Sequence, residues 1–291
     1  METNELLKKV RAIEIRTKGL VNQIFSGEYH SVFKGRGMTF SEVREYQFGD
    51  DIRTIDWNVS ARFNNPFVKI FEEERELTVM LLVDVSGSGE FGTVQVMKKD
   101  IAAELCAVIA FSAIKNNDKV GVIFFSDVIE KVIPPKKGRT HILRIVRELL
   151  DFTPKQRGTN IAEGLRYLTS AIKKRSITFV ISDFLGEGYE DALKIASRKH
   201  DVVALHLFDP RETELPPAGL IRVVDAETGE ALWADAGDAA VRNGYARWWR
   251  DREQERKKLF MRSGVDAVDI RIDRPYIQPL MTFFKGREKR F

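Results

Sequence analysis

From residue 77 onward, apolar runs alternate with amphipathic stretches. The runs 77–84, 119–126, 128–133, 177–182 and 201–208 have the length and branched or aromatic content of strands. Between them, 95–116, 140–151, 160–174 and 189–199 carry apolar residues at helical spacing. This alternation predicts an α/β fold, a doubly wound, mostly parallel sheet flanked by helices. Met80-Leu-Leu-Val83 and Val120-Gly-Val-Ile-Phe-Phe125 are almost continuously apolar, as strands covered on both faces should be. The short step from 126 to 128 predicts one antiparallel edge hairpin. Further on, the pattern predicts a strand near 220–225, a long helix over 238–262 and a last strand over 265–272, followed by Pro275 and a basic end.

The first 75 residues read differently. Leu6, Leu7, Val10, Ile13, Leu20, Val21 and Ile24 predict an opening helix, and Lys34-Gly-Arg-Gly37 a loop. Residues 38–53 are polar and crowded with charge. Ile55, Trp57 and Val59 alternate with polar residues, the period of a half-buried strand. Asn64-Asn-Pro66 is a turn signal, and Phe67 to Phe71 reads as the returning strand. The expected organisation is an N-terminal accessory region, 1–75, with a helix and a β-hairpin. A larger domain with a C-terminal extension follows over 76–291.

Composition narrows the function classes. Hydrophobic residues make up 43% and charged residues 31%, a globular balance rather than a disordered or fibrous one. Net charge is only +4, from 47 basic and 43 acidic residues, so a pI near 9.0 does not describe a polycation. No specific nucleic-acid binding is expected. The single cysteine, Cys106, lies in an apolar helical pattern and reads as a buried structural thiol. The charged start lacks the core of a signal peptide, and the longest near-apolar stretch, 101–114, is too short to span a bilayer. The expected location is cytoplasmic, without membrane insertion.

The candidate chemistry sits at predicted strand ends. Asp84-Val-Ser-Gly-Ser88 follows one apolar run, and Ile181-Ser-Asp183 closes another. Gly158-Thr-Asn160 opens a helical stretch. Two strand ends and a helix start can meet at one edge of a parallel sheet, where open α/β sheets bind ligands. Together they would offer the carboxylates of Asp84 and Asp183 with the hydroxyls of Ser86, Ser88 and Thr159. Such an oxygen set suits a hard cation, magnesium first, with manganese or calcium as alternatives. Neutral hydroxyl ligands would leave the cation electrophilic and able to accept a partner's carboxylate. Taken singly, each motif has a plainer reading: a turn at Asp84, a helix cap at Thr159 or Asn160, a strand end at Asp183.

These residues resemble the metal-ion-dependent adhesion site of von Willebrand factor A-type domains, over roughly residues 77–210. The resemblance implies that Ser86, Ser88 and Thr159 bind the ion directly, and that Asp84 and Asp183 act directly or through water. Upstream, Gly37-Met-Thr-Phe-Ser-Glu-Val-Arg-Glu-Tyr46 runs into Phe48-Gly-Asp-Asp-Ile-Arg53, Ile55-Asp-Trp57 and Ser60-Ala-Arg62. This is similar to the signature of domain-of-unknown-function family fifty-eight, which precedes an A-type domain. The resemblance implies a chaperone-like partnership with MoxR-type AAA+ ATPases, with the metal bridging to an acidic side chain on the ATPase or on a client protein. Arg44, Asp50, Asp51, Arg53, Asp56 and Arg62 are then expected to fasten the accessory region to the metal domain, with Trp57 in a core. One departure is Gly89, where the family often carries methionine; no ligand is lost, but the loop has more freedom.

Rival chemistry finds less support. Gly87-Ser-Gly-Glu-Phe-Gly92 matches a dinucleotide fingerprint, but no acidic residue follows at the expected distance. There is no Gly-x-x-x-x-Gly-Lys-Ser/Thr loop, so an intrinsic ATPase is not expected. The four histidines have no compact zinc spacing. A magnesium-dependent hydrolase or phosphotransferase using Asp84 remains the alternative, although no lysine stands near Asp84 in sequence as a charge partner. The expectation is a non-catalytic, metal-dependent binding protein.

Overall fold

The computed structural model describes residues 8–17, 38–73, 76–92 and 96–288. Its main sheet has strand order β10-β7-β6-β3-β4-β5, built from β3 (Thr78–Asp84), β4 (Lys119–Phe125), β5 (Ile129–Lys136), β6 (Ile177–Ser182), β7 (Asp201–Phe208) and β10 (Asp266–Arg271). All pairs are parallel except the edge hairpin β4–β5. This is the predicted doubly wound, mostly parallel sheet flanked by helices. Its strands recur where the apolar runs lie.

The strands are continuous in hydrophobicity because both faces are covered. Val79, Leu81 and Val83 point to one face and pack with α3 (Lys98–Lys115), α4 (Arg139–Leu150) and α9 (Ile277–Glu288). Met80 and Leu82 point to the other and pack with α5 (Ile161–Ala171), α6 (Glu190–Lys199) and the end of α8 (Ala239–Ser263). Alternation along the strand thus feeds two cores rather than a core and a surface. Each fully buried aliphatic side chain contributes about 1.5–3 kcal/mol. Cys106 is 0% exposed in the first core, and burial pushes its thiol pKa up, as expected of a structural thiol.

Gly121 lies where the β4–β5 ladder slips register. A Cβ there would sit 2.9 Å from both Met80 Sδ and the Pro135 nitrogen. Gly121→Val is therefore expected to destabilise the fold by about 1–3 kcal/mol through overpacking. A urea denaturation series reads this directly, and an unchanged midpoint would refute it.

The accessory region departs from its expectation. Residues 8–17 are helical (α1) and belong to the main domain's core: Val10 packs in the first cluster, and Arg16 Nη1 donates to Glu104 Oε1 at 2.6 Å. The predicted extension of this helix through Leu20, Val21 and Ile24, and the loop at 34–37, lie outside the described residues. The hairpin is real, but its first strand is β1 (Met38–Glu45), paired antiparallel with β2 (Phe67–Glu73). Residues 55–59 are not a strand. After a 3-10 turn at Ile52–Thr54, α2 (Trp57–Phe63) begins with Asp56 as its cap, whose Oδ1 accepts from the N–H groups of Asn58 and Val59. Trp57 is 71% exposed, so its placement in a core is corrected.

Beyond β7 come a short helix, α7 (Pro210–Thr213), and a separate hairpin, β8 (Leu220–Val224) with β9 (Ala231–Asp235). Then α8 leads into β10, as the pattern predicts. The helix α9, not anticipated, carries the basic end over Lys285 and Arg287.

Candidate metal centre

The topology places its switch point beside β3. From β3 the chain moves to β4 on one side and later returns through β6 to β7 on the other. The carboxyl ends of β3 and β6 therefore flank the crevice where such sheets bind ligands. Val83 stands level with Ile181, which brings Asp84 beside Ser182 and Asp183.

Asp84 is held from two directions. Its Oδ1 accepts from Ser86 N–H at 3.0 Å, and its Oδ2 accepts from Ser182 Oγ at 2.6 Å. The hydroxyls of Ser86 and Ser88 are 3.1 Å apart. Ser88 hydrogen-bonds Asp183, whose Oδ1 also accepts from Leu185 N–H at 3.3 Å. Thr159 arrives on a loop pinned at three points. Gly87 N–H donates to Arg157 O at 2.8 Å, Asn160 N–H to Ser126 O at 2.9 Å, and Glu130 Oε1 accepts from Lys155 and Gln156 N–H at 3.0 Å. Asn160, not Thr159, caps α5, taking the Glu163 N–H at 3.0 Å. That frees the Thr159 hydroxyl, which donates to Glu227 Oε1 at 2.5 Å.

Sequence reasoning missed Ser182, Lys98, Glu212 and Glu227. Lys98, the first residue of α3, is 3% exposed; its Nζ donates to Asp183 Oδ2 at 3.1 Å and pairs with Glu212 Oε1 at 2.6 Å. The expectation that no lysine stands near is thus corrected: Lys98 is adjacent in space although distant in sequence. Glu212 carried a readable signal, since Asp209-Pro-Arg-Glu212 has the form of a capping box, which it is. Glu227 had none, because nothing local ties a hairpin turn to a loop 68 residues earlier.

The two central carboxylates, Asp84 and Asp183, sit in opposite electrostatic situations. Burial, and then the neighbouring Asp183 charge, push the Asp84 carboxyl up to about 7. Burial works against the charge of Asp183 too, but the Lys98 ammonium and the Ser88 hydroxyl hold its pKa below the ordinary carboxylate range. Burial opposes the Lys98 charge, yet Asp183 and Glu212 hold it above its usual value. Burial raises Glu227 as well, and the charges of Asp183, Asp225 and Asp127 add to that.

The donor set fits a hard cation. Adjacent oxygens of a magnesium octahedron lie about 2.9 Å apart, given metal–oxygen distances of about 2.0–2.1 Å. The Ser86–Ser88 pair has nearly that spacing. Among the described residues no three His, Cys, Asp or Glu side chains gather closely enough to hold a metal by themselves.

The signature residues upstream serve their own region. Arg44 makes a two-pronged pair with Asp50, at 2.8 and 2.7 Å. Asp51 accepts from Arg53 N–H at 2.9 Å, and Asp56 pairs with Lys69 at 3.3 Å. Arg53 and Arg62 are exposed. The hydrogen bonds and ion pairs named here lie within residues 44–69, where they shape the hairpin and α2.

The sequence profile of the family described as "Protein of unknown function DUF58" matches residues 42–255. The chain belongs to the DUF58 family. This DUF58 protein is 28% identical over 288 residues to the uncharacterized protein Rv1480 of Mycobacterium tuberculosis, covering 98% of this chain and 90% of that one. It is 29% identical over 109 residues to the uncharacterized protein YeaD of Bacillus subtilis, 38% of this chain and 25% of YeaD. Among solved structures it is similar to the conserved hypothetical protein BatB from Bacteroides thetaiotaomicron, with a TM-score of 0.50 and 18% identity over 73% of this chain and 99% of BatB. At that identity the likeness shows the fold alone. No helix among the described residues is long and apolar enough to cross a membrane.

Proposed function

We propose that this chain is a non-catalytic, divalent-cation-dependent protein-binding adaptor that works with a MoxR-type AAA+ ATPase in chaperone-like assembly or maturation of client proteins. The observation that supports it most is the Ser86–Ser88 hydroxyl pair, set between two buried carboxylates at the switch point of the sheet. Ser86, Ser88 and Thr159 would hold magnesium, or manganese or calcium in its place, with Asp84 and Asp183 acting directly or through water. The cation supplies an electrophilic point for a partner's carboxylate. The protein's own part is to fix the hydroxyls, balance Asp183 with Lys98, and exclude water beneath the site with the packed strand ends.

Titration calorimetry with magnesium and manganese chloride tests the metal. Asp84→Ala is expected to weaken binding on the order of 100-fold, since it removes both a ligand and the group that orients the Ser86 loop. Undiminished affinity would end the reading. Pull-down of a purified MoxR-type ATPase, with and without chelator, tests the bridge; equal recovery in both conditions rejects it.

One observation favours the phosphotransferase alternative: Lys98 provides the charged lysine such chemistry uses near an aspartate. Its ammonium is shared between Asp183 and Glu212, however, and both Asp84 oxygens already accept hydrogen bonds. A phosphatase and nucleotidase screen separates the two. Turnover that disappears in Asp84→Ala but survives surface substitutions would replace the adaptor with an enzyme.

A further inference from the structure

The cation site of the proposed adaptor has a carboxylate of this same chain already beside it. Glu227 stands in the turn between β8 and β9, and its Oε1 accepts the Thr159 hydroxyl at 2.5 Å. We infer that Glu227 is an internal ligand of the cation, seated next to Thr159 where a partner's acidic side chain would bind, so that a partner engages the metal only by displacing the β8–β9 turn. The inference rests on the metal reading above and adds to it the occupant of the open position.

The turn is built to present this side chain. Asp225 Oδ1 accepts from the N–H groups of Glu227 and Thr228, at 2.8 and 3.1 Å, and Gly229, at φ +75°, closes the turn with its N–H on Asp225 O at 2.9 Å. The turn also sits directly on the metal loop. A Cβ at Gly87 would lie 2.3 Å from Ala226 O, so only glycine lets the two loops approach this closely. This carboxylate takes the Thr159 hydroxyl and feels the charges of Asp183, Asp225 and Asp127; among the described residues no ion pair to it is seen, and a cation beside Thr159 would provide one.

The rest of the hairpin is placed to let go. It is a two-stranded sheet that does not join the main sheet. Its base is anchored, with Ala236 N–H on Gly219 O at 2.8 Å and Arg242 on the carbonyls of Ala236 and Gly237 at 2.7 and 2.8 Å. Its strands are exposed: Leu232 is 69% and Trp233 62% accessible. The hairpin thus meets the metal loop through its tip while its strands stay outside the main sheet.

The test uses the full chain loaded with manganese, whose bound waters are counted by water-proton relaxation. Glu227→Ala is expected to weaken manganese binding about ten-fold and to raise relaxivity by one exchanging water. Acetate should then reverse the relaxivity gain in Glu227→Ala and have no effect on the native chain. Glu227→Gln keeps the turn's size and should lose affinity in the same direction, whereas Glu230→Gln, in the same turn, should behave as native. Unchanged affinity and relaxivity in Glu227→Ala overturn the inference while leaving the metal site standing. Failure of the native chain to bind manganese at all overturns the metal reading and the inference together.

Discussion

Lys98→Met is expected to destabilise the chain by about 3–5 kcal/mol in chelator, the cost of breaking a buried ion pair from one side. Lys98 is 3% exposed and is shared between Asp183 and Glu212. Methionine keeps an apolar stem of similar length but gives up the ammonium's approach to the Phe91 ring, 5.9 Å from Nζ. What it removes is the ammonium that pairs with Asp183, leaving that carboxylate buried beside Asp84. A cation at the first turn of α3 is also on the wrong end of the helix dipole, so its presence there answers to the carboxylates and not to the helix. The same substitution removes a positive charge that repels a divalent ion. Magnesium is therefore expected to stabilise Lys98→Met more than it stabilises the native chain. Urea denaturation with and without magnesium measures both effects. A variant as stable as native in chelator would show that Lys98 does not balance the site.

A second large effect lies at the opposite end of the sheet. His200 is 1% exposed, and burial first, then the charges of Lys199 and Arg175, depress its pKa to about 4. Its Nδ1 accepts the Ser176 N–H at 3.3 Å and pairs with Ser176 Oγ at 3.0 Å, which fits a neutral ring. The nearby carboxylate of Asp201 pairs with Arg287, which leaves it little power to favour the imidazolium. A histidine with a lowered folded pKa favours folding while neutral. Above about pH 6.5 both states are neutral and nothing is lost. As pH falls from about 6.5 to 4, the unfolded chain takes up a proton that the folded chain refuses, and stability declines by about 3 kcal/mol. Below 4 the loss levels off. Denaturation midpoints at pH 7 and pH 4.5, for the native chain and His200→Gln, isolate this term; an equal decline in both would rule it out.

The main sheet was legible because its signal is redundant. Each central strand is apolar on both faces, and each helix brackets it at the right length. Asp84, Ser86, Ser88 and Asp183 were legible for a related reason: they sit at the ends of such strands, and strand ends on one side of a parallel sheet share an edge. The accessory hairpin shows how that reasoning fails. β1 has a bulge between Phe40 and Glu42, which shifts the alternation by one residue and hides the strand. Ile55, Trp57 and Val59 alternate, but Asp56 caps a helix there and Trp57 turns outward. The helix α9 was not legible in the pattern after 272; its Pro279 lies in the first turn, where no N–H is needed for the helical ladder.

By itself the chain's pattern determined the doubly wound sheet, the buried thiol and the side of the sheet that carries Asp84, Ser86, Ser88 and Asp183, because burial and periodicity are local properties read residue by residue. Only the tertiary structure decided that Lys98 and Glu212 clamp Asp183, that Asn160 rather than Thr159 caps α5, and that Glu227 leans on Thr159. Those pairings depend on where loops land after the sheet has closed, and charge attracts charge across space with no trace in sequence spacing.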